Sequence, residues 1–477
     1  MSDFEGWQWE KRRLTRRDVV KGGLAGAGAL GFGNVLAACG GEDEEAGEAP
    51  SAEERQAAGK YTGTIRVVGI GVDLIDPIRE AGEAALGFKL AFDVTDTVTA
   101  RQKVITQPGG FDIFSGYHID IDQVWPTGNL VPIPRRDLTS WDQVTMLYRK
   151  GRVDPGQEPT PPSGAEAPGD CTLGDGDAPF RKLYSTADGE LTTWADPETG
   201  EGAEGEEPEF ITMVGHNFNM DSMGYNADVI QKEPEEVSWA ELFNPEWRGR
   251  VALLNDPGIG MMDAANAAEA TGIMQFGDMG NMTREEIDGL ITALLDLKDK
   301  GQFRAFWSTF DESVNLMQSG EVVIESMWSP AVALLQSVGH PTRYAAPPEG
   351  FRGWSGGHSI SKEVVQDPAK FQACLDYINW WHSGEPGAIM LRQGYYNVVM
   401  GPIQDQVEPF EWDYWVLGKP ASQPIPNPFG EETEGIQVGT VRDGGSFWQR
   451  ACHYRVWNSI MDEQQYQIQR WNEFLAA

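Results

Sequence analysis

Cysteine, histidine and positive charge are all scarce in this sequence. Its 477 residues include 4 cysteines and 6 histidines, and 37 lysines and arginines stand against 73 aspartates and glutamates. No CxxC pair and no Cys/His spacing typical of a metal site occurs. The formal net charge of −36 would repel nucleic-acid phosphates and anionic headgroups. We therefore expect no metal, no cofactor and no nucleic-acid partner.

Motifs of common nucleotide-binding and hydrolase sites are missing as well. Gly69-Ile70-Gly71 follows a predicted strand, but it lacks the third glycine of a dinucleotide fingerprint, and Asp73 and Asp76 would face the phosphates. The sequence contains no P-loop, no nucleophile elbow and no His-Glu-x-x-His helix. We assign no catalytic residues, and a secreted enzyme is the less favoured alternative.

The N-terminus carries a basic pair and a cysteine box. Arg16 and Arg17 precede a glycine-rich run, 22–38, which is too short and too interrupted to be a spanning helix. The run ends at Leu36-Ala37-Ala38-Cys39. Together these features resemble a twin-arginine lipoprotein signal over 1–39 that ends at the lipidated Cys39. The resemblance implies export and anchoring to the outer face of the cytoplasmic membrane, in a periplasm or at the cell surface.

Two acidic segments look poorly suited to a core. Residues 40–60 are mostly acidic, small and polar, which predicts a flexible tether between the lipid and the folded body. Residues 151–209 are rich in Pro, Gly, Asp and Glu and have few aliphatic side chains. This composition predicts a long, solvated surface insertion.

The pattern after residue 60 is that of an α/β protein. Strands are predicted at 64–68, 88–92 and 111–115, with helices between them, and this βαβαβ order favours a parallel sheet. Ligands of such sheets bind beyond the carboxyl ends of the strands. Tyr117 and His118, which follow the third strand, are therefore candidate ligand-binding residues.

A second α/β unit follows the acidic insertion. A strand is predicted at 250–254, and Thr283 and Glu286 form a capping box before a helix that Gly301 ends. Another strand is predicted at 321–325 and a helix at 368–382. The stretch 447–475 is predicted to form helices that complete this unit.

One segment carries a family resemblance. The run 238–253, SWAELFNPEWRGRVAL, resembles a signature of spermidine/putrescine-type substrate-binding proteins of ABC transporters. Segments 303–307, 320–322, 327–331 and 354–360, together with Asp112 and 394–397, are similar to further parts of that family. The resemblance extends over about 64–400, interrupted by the insertion.

This resemblance implies a two-lobed periplasmic-binding-protein fold of type 2. The chain would cross between the lobes near 219–226 and again near 351–359. Lobe 1 would comprise 61–222 and 352–400, and lobe 2 would comprise 223–351 and 401–477. The protein would act as a monomer that captures a small-molecule ligand and delivers it to an ABC permease.

The same resemblance suggests a polyamine or related organic cation as the ligand. Diammonium ligands need carboxylates for their charges and aromatic faces for their methylene chains. Asp256, Trp328 and Trp354 occupy matching positions, but Ile259 and Gly356 stand where the family has acidic residues. The alternative is a receptor of the same fold for an amino-acid-like, carboxylate or ferric ligand.

The remaining cysteines leave the disulfide pattern open. With Cys39 assigned to lipidation, Cys171, Cys374 and Cys452 remain. An odd number cannot be fully paired, so either one disulfide or three reduced thiols is expected.

Overall fold

The computed structural model describes residues 49–151, 164, 171, 173–176, 178–195, 206–428 and 433–477. The predicted export signal, with Arg16, Arg17 and Cys39, lies outside the described residues, and so does 40–48 of the predicted tether.

Strands and helices alternate along most of the described chain. The strands are β1 (Thr64–Gly69), β2 (Lys89–Val94), β3 (Ile113–Tyr117), β4 (Leu130–Val131), β5 (Ile133–Pro134), β6 (Asp175–Gly176), β7 (Tyr184–Ser185), β8 (Leu191–Thr192), β9 (Phe210–Ile211), β10 (Val214–Asn226), β11 (Val251–Leu254), β12 (Phe303–Trp307), β13 (Ile324–Met327), β14 (Thr342–Tyr344), β15 (Phe351–Ser361), β16 (Tyr396–Asn397) and β17 (Tyr454–Trp457). The α-helices are α1 (Ala52–Ala58), α2 (Asp76–Leu86), α3 (Thr97–Thr106), α4 (Ile121–Val124), α5 (Met146–Lys150), α6 (Gly260–Ala270), α7 (Arg284–Asp299), α8 (Phe310–Gln318), α9 (Ser329–Ser337), α10 (Pro368–Trp380), α11 (Glu385–Leu391), α12 (Pro409–Trp415), α13 (Phe447–Ala451) and α14 (Gln464–Ala476).

Lobe 1 is built around a parallel sheet. Strand β1 lies between β2 and β3 and is parallel to both, with α2 and α3 as the crossover helices. Helix α2 ends at Gly87, whose φ of 76° is readily adopted only by glycine. Ile65 and Val67 of β1 are fully buried in the core of this lobe. The predicted βαβαβ unit is confirmed.

Lobe 2 repeats this arrangement. Strand β11 lies between β12 and β13 and is parallel to both. Helix α7 begins at the predicted capping box, in which Thr283 and Glu286 satisfy each other's backbone N–H groups. The buried side chains of α7 recur at helical spacing and form part of a separate core: Ile287, Leu290, Ile291 and Leu294.

Two long strands connect the lobes. Strands β10 and β15 are antiparallel neighbours, and the hydrogen-bonded order β12-β11-β13-β10-β15-β3-β1-β2 runs through them. The first half of β10 pairs with β16, whereas its second half pairs with β13 and β14. The predicted two-lobed α/β fold with two crossing segments is confirmed.

Part of the predicted tether is folded. Ser51 and Glu54 form a capping box at the start of α1. Arg55 is buried and pairs with Asp137 at 2.8 Å. The expectation of a flexible segment over 40–60 is therefore wrong for 52–58, because a capped helix docks there on the body.

The insertion also differs from its expectation. Within 151–209, the side chains of Phe180, Leu183 and Tyr184 are fully buried in the core of lobe 1. Cys171 forms a disulfide with Cys452, and Cys374 is a free, buried cysteine. The described part of this segment is packed structure, since a few large apolar side chains anchor it despite its acidic composition.

The C-terminal stretch requires a further correction. Trp412, Trp415 and Trp448 pack in the core of lobe 1, although 401–477 was expected to belong to lobe 2. Trp471 and Phe474 do join the core of lobe 2. Between these two groups the chain forms strand β17, where only helices were predicted.

Candidate functional site

Three of the predicted ligand-binding residues meet where the lobes join: Tyr117, His118 and Trp354. Tyr117 ends β3, and Trp354 lies in the crossing strand β15. Their ring centroids are 5.7 Å apart at a nearly perpendicular angle, and Tyr395 contacts Trp354 at 5.1 Å. A cavity of about 10 Å³ lies beside these rings, and its lining consists of Tyr117, His118, Ile119, Trp354, Ser355, Trp457 and Asn458.

His118 is held by hydrogen bonds on both ring nitrogens. Its Nε2 is 3.1 Å from the carbonyl oxygen of Pro179, and its Nδ1 is 2.9 Å from Oγ of Ser355. Because a carbonyl can only accept, Nε2 donates to Pro179, and Nδ1 shares a hydrogen bond with the Ser355 hydroxyl. His118 therefore lines the cavity with its ring orientation fixed.

Carboxylates surround Tyr117. Burial raises the pKa of the Tyr117 phenol well above its usual value, and the charges of Asp73, Asp120, Asp221 and Asp256 raise it further. These four side chains come from different parts of the chain and are all at least nine-tenths buried. Arg101 lies 3.4 Å from Asp120 and Arg352 lies 3.7 Å from Asp221, whereas Asp73 has no cation among its electrostatic partners.

Asp221 lies at the centre of the crossing. It accepts hydrogen bonds from the Trp354 side chain and, at 3.2 Å, from Nδ2 of Asn219. Arg352 is 3.7 Å from Asp221 but makes its closer contact, 2.8 Å, with Asp263 of α6. Burial raises the pKa of Asp221 to about 6, despite the opposing charge of Arg352.

Asp256 occupies the predicted position in the loop after β11. Its carboxylate accepts backbone hydrogen bonds from Gly258 and Ile259, at the start of α6. Burial raises its pKa to about 6. Asp256 therefore both shapes its loop and contributes negative charge near Tyr117.

Asp73 lies just beyond the carboxyl end of β1. It accepts a hydrogen bond from Ser115 at 3.1 Å, and burial raises its pKa to about 7. Its imidazole neighbour, His216 at 3.3 Å, does not compensate the charge, because burial lowers the pKa of His216 to about 3. An ionised Asp73 would thus have no positive partner there.

Trp328 lies on the lobe 2 side of the junction. It directly precedes α9, and its ring packs edge-on against Trp307 with centroids 5.1 Å apart. The next residue, Ser329, accepts a hydrogen bond from Asn219 of β10. Trp328 therefore lies near the crossing strands but outside the lining of the small cavity.

Sequence reasoning missed Asp73 and Asp221 as site residues. Both had a usable signal: Asp73 falls in the loop after the first strand, and Asp221 in the predicted crossing. The structure also explains Gly356, because a Cβ there would come within 2.8 Å of the His216 ring. A carboxylate side chain at that position would therefore clash with His216.

The junction brings together buried carboxyl groups and the rings of Tyr117 and Trp354. Arg101, 3.4 Å from Asp120, and Arg352, 3.7 Å from Asp221, lie near these carboxyl groups. Among the described residues, no group of three or more His, Cys, Asp or Glu side chains has an arrangement that could hold a metal ion.

Fold and site together define a two-lobed protein that binds a solute between its lobes. Residues 78–400, more than half of the chain, match the bacterial extracellular solute-binding proteins. The chain belongs to this family, which consists of transport proteins rather than enzymes. In the part of the chain that the structure describes, no helix has the length and apolar character needed to cross a membrane.

Solved structures share the fold at low sequence identity. The spermidine/putrescine ABC transporter substrate-binding protein PotD of Streptococcus pneumoniae is 12% identical, with a TM-score of 0.54, covering 87% of this chain and 99% of its own. The Tp0655 (TpPotD) lipoprotein of Treponema pallidum is 9% identical, with a TM-score of 0.54 and coverages of 87% and 98%. AgtB of A. tumefaciens R10, in complex with agropinic acid, is 14% identical, with a TM-score of 0.50 and coverages of 87% and 100%. Comparison with curated proteins found no match.

Proposed function

We propose that this protein is the receptor of an ABC importer and that its ligand is a small organic cation of the polyamine type. The observation that carries this proposal is the group of buried carboxylates, Asp73, Asp221 and Asp256, around Tyr117 and Trp354. Asp73 has no cation among its electrostatic partners, and Asp221 shares Arg352 with Asp263, so a bound cation would offset the cost of burying these charges. The lobes would close on the solute and present it to a membrane permease.

The cavity size bears on how a solute enters. About 10 Å³ is room for roughly one water molecule. A diamine is much larger, so the lobes must separate before it binds. Rotation about the crossing strands β10 and β15 is the motion that would open the cleft.

The other ligand classes have less support. A carboxylate ligand would need a cation, but Arg352 already pairs with Asp263 and Asp221. A ferric ligand would use the adjacent tyrosines Tyr395 and Tyr396, but Tyr396 is fully buried and donates to the carbonyl of Trp415. Ligands other than amines are therefore included in the binding test for comparison.

The binding test is isothermal titration of the protein with putrescine, spermidine, agropinic acid and single amino acids. We expect binding of the amines alone, and at least tenfold weaker binding in Asp221→Asn and Asp256→Asn. Asp93→Asn, at an exposed ion pair with Lys103, is the matched control. Selective binding of a carboxylate, or normal amine affinity in both site variants, would contradict the proposed ligand class.

We also propose export by the twin-arginine route and a lipid anchor at Cys39. Lysine at both Arg16 and Arg17 is expected to stop export, and Cys39→Ala is expected to release the protein from the membrane fraction. Cell fractionation with immunoblotting measures both effects. Normal anchoring of both variants would refute this part of the proposal.

A further inference from the structure

We propose that β6 and β17 form a third wall of the ligand cleft, which bridges the two lobes and limits the length of the solute. We call the residues of this wall, Asp175, Gly176 and 454–458, the bridging wall. The limit on solute length rests on the proposed function, whereas the bridge between the lobes can be tested without any ligand.

The first argument is the position of β17. Strand β15 pairs with β10 along one edge. Along its other edge, β15 pairs with β17 at 351–353 and with β3 at 356–360. The gap between these two partners lies at Trp354 and Ser355, where the cavity opens. Trp457 and Asn458 therefore close one end of the cavity, opposite Tyr117 and His118.

The second argument is that the wall is held from both lobes. On the lobe 2 side, Asp278 accepts from the backbone of Gly176 at 3.0 Å, and Asp175 accepts from the backbone of Met279 at 3.0 Å. Arg455 forms two ion pairs, one with Asp175 at 2.5 Å and one with Glu269 of α6 at 2.7 Å. On the lobe 1 side, Arg181 donates to the carbonyl of Gly176, and the nearby Pro179 carbonyl accepts from His118. Opening the lobes strains or breaks these contacts.

The third argument is that Trp457 cannot easily move aside. Its side chain is 2% exposed and stacks on Tyr454 with ring centroids 4.2 Å apart. Its Nε1 donates to the carbonyl of Leu173 at 2.8 Å, and Asn458 accepts from Arg352 at 3.0 Å. A fixed wall of this kind excludes solutes that extend past Trp354.

The length limit is tested with a series of α,ω-diaminoalkanes of increasing chain length, titrated into wild type and Trp457→Leu. We expect wild type to lose affinity beyond a short chain, and Trp457→Leu to accept chains at least two methylenes longer. Trp448→Leu also removes a buried indole, but one outside the cavity lining, and should leave the limit unchanged. A folded Trp457→Leu protein with the wild-type length limit would overturn the length proposal.

The bridge is tested without ligand by measuring distances between nitroxide labels at positions 93 and 296, which are exposed on lobes 1 and 2. Arg455→Ala with Asp278→Ala should lengthen and broaden the distance distribution. Arg304→Ala breaks an exposed ion pair inside lobe 2 and is the control. An unchanged distribution would overturn the bridge. If no diamine binds wild type, the proposed cation function fails, and this measurement still decides whether the wall bridges the lobes.

Discussion

The substitution Asp73→Asn should stabilise the protein at high pH. The Asp73 side chain is 2% exposed and has hydrogen-bond donors in Ser115 and Asn217 but no cationic partner. Burial raises its pKa from 3.8 to about 7. The neighbouring His216 is neutral above pH 4, since burial lowers its pKa to about 3.

The size and sign of the effect follow from proton linkage. Because the folded-state pKa exceeds the unfolded one, the folded protein binds the proton more tightly between about pH 4 and 7, and this contribution to stability falls as the pH rises through that window. A difference of about three pKa units at about 1.4 kcal/mol each is a cost on the order of 4 kcal/mol at pH 8. Asparagine avoids that cost but loses part of the hydrogen bonding, so we expect a gain of roughly 2–4 kcal/mol at pH 8 and little change at pH 4.

Urea unfolding between pH 4 and 8 measures this difference. Asp93→Asn, at an exposed carboxylate, is the control and should follow the wild-type pH dependence. The Asp73→Asn variant should also bind putrescine more weakly, because it removes one of the negative charges near Tyr117. If wild type and Asp73→Asn lose stability in parallel as the pH rises, Asp73 does not carry the cost of ionisation and the reasoning fails.

Three further predictions concern binding and stability. Because burial raises the pKa values of Asp221 and Asp256 to about 6, cation affinity should rise between pH 5 and 7, and titration of Asp221→Asn should show a weaker pH dependence; a flat wild-type profile would contradict this. Trp354→Ala should weaken binding of a diamine at least tenfold and reduce the tryptophan fluorescence change on binding, and unchanged affinity would exclude ligand contact by this ring. Replacing Cys171 and Cys452 by serine removes a link between residues 281 apart, so thermal unfolding should show a loss of about 2–5 kcal/mol; an unchanged transition would show that the link does not constrain the unfolded chain.

Local sequence patterns determined the elements of this protein. The apolar runs of β1 and β11, the helical spacing along α7 and the Thr283–Glu286 capping box each involve residues a few positions apart. Hydrogen bonding and burial within one strand or helix depend mainly on such neighbours. The alternation of these elements predicted two α/β units, and the resemblance over about 64–400 implied the two lobes and the two crossings.

Tertiary structure alone decided the composition of the site and the fate of the acidic segments. Asp73, Tyr117 and Asp221 are far apart in sequence and meet because β1, β3 and β10 converge where the lobes join. Composition favoured a solvated insertion at 151–209, yet Phe180 and Tyr184 bury part of it and Cys171 ties it to Cys452. An average over many polar residues cannot reveal a few anchoring side chains, because burial depends on partners supplied by distant parts of the chain.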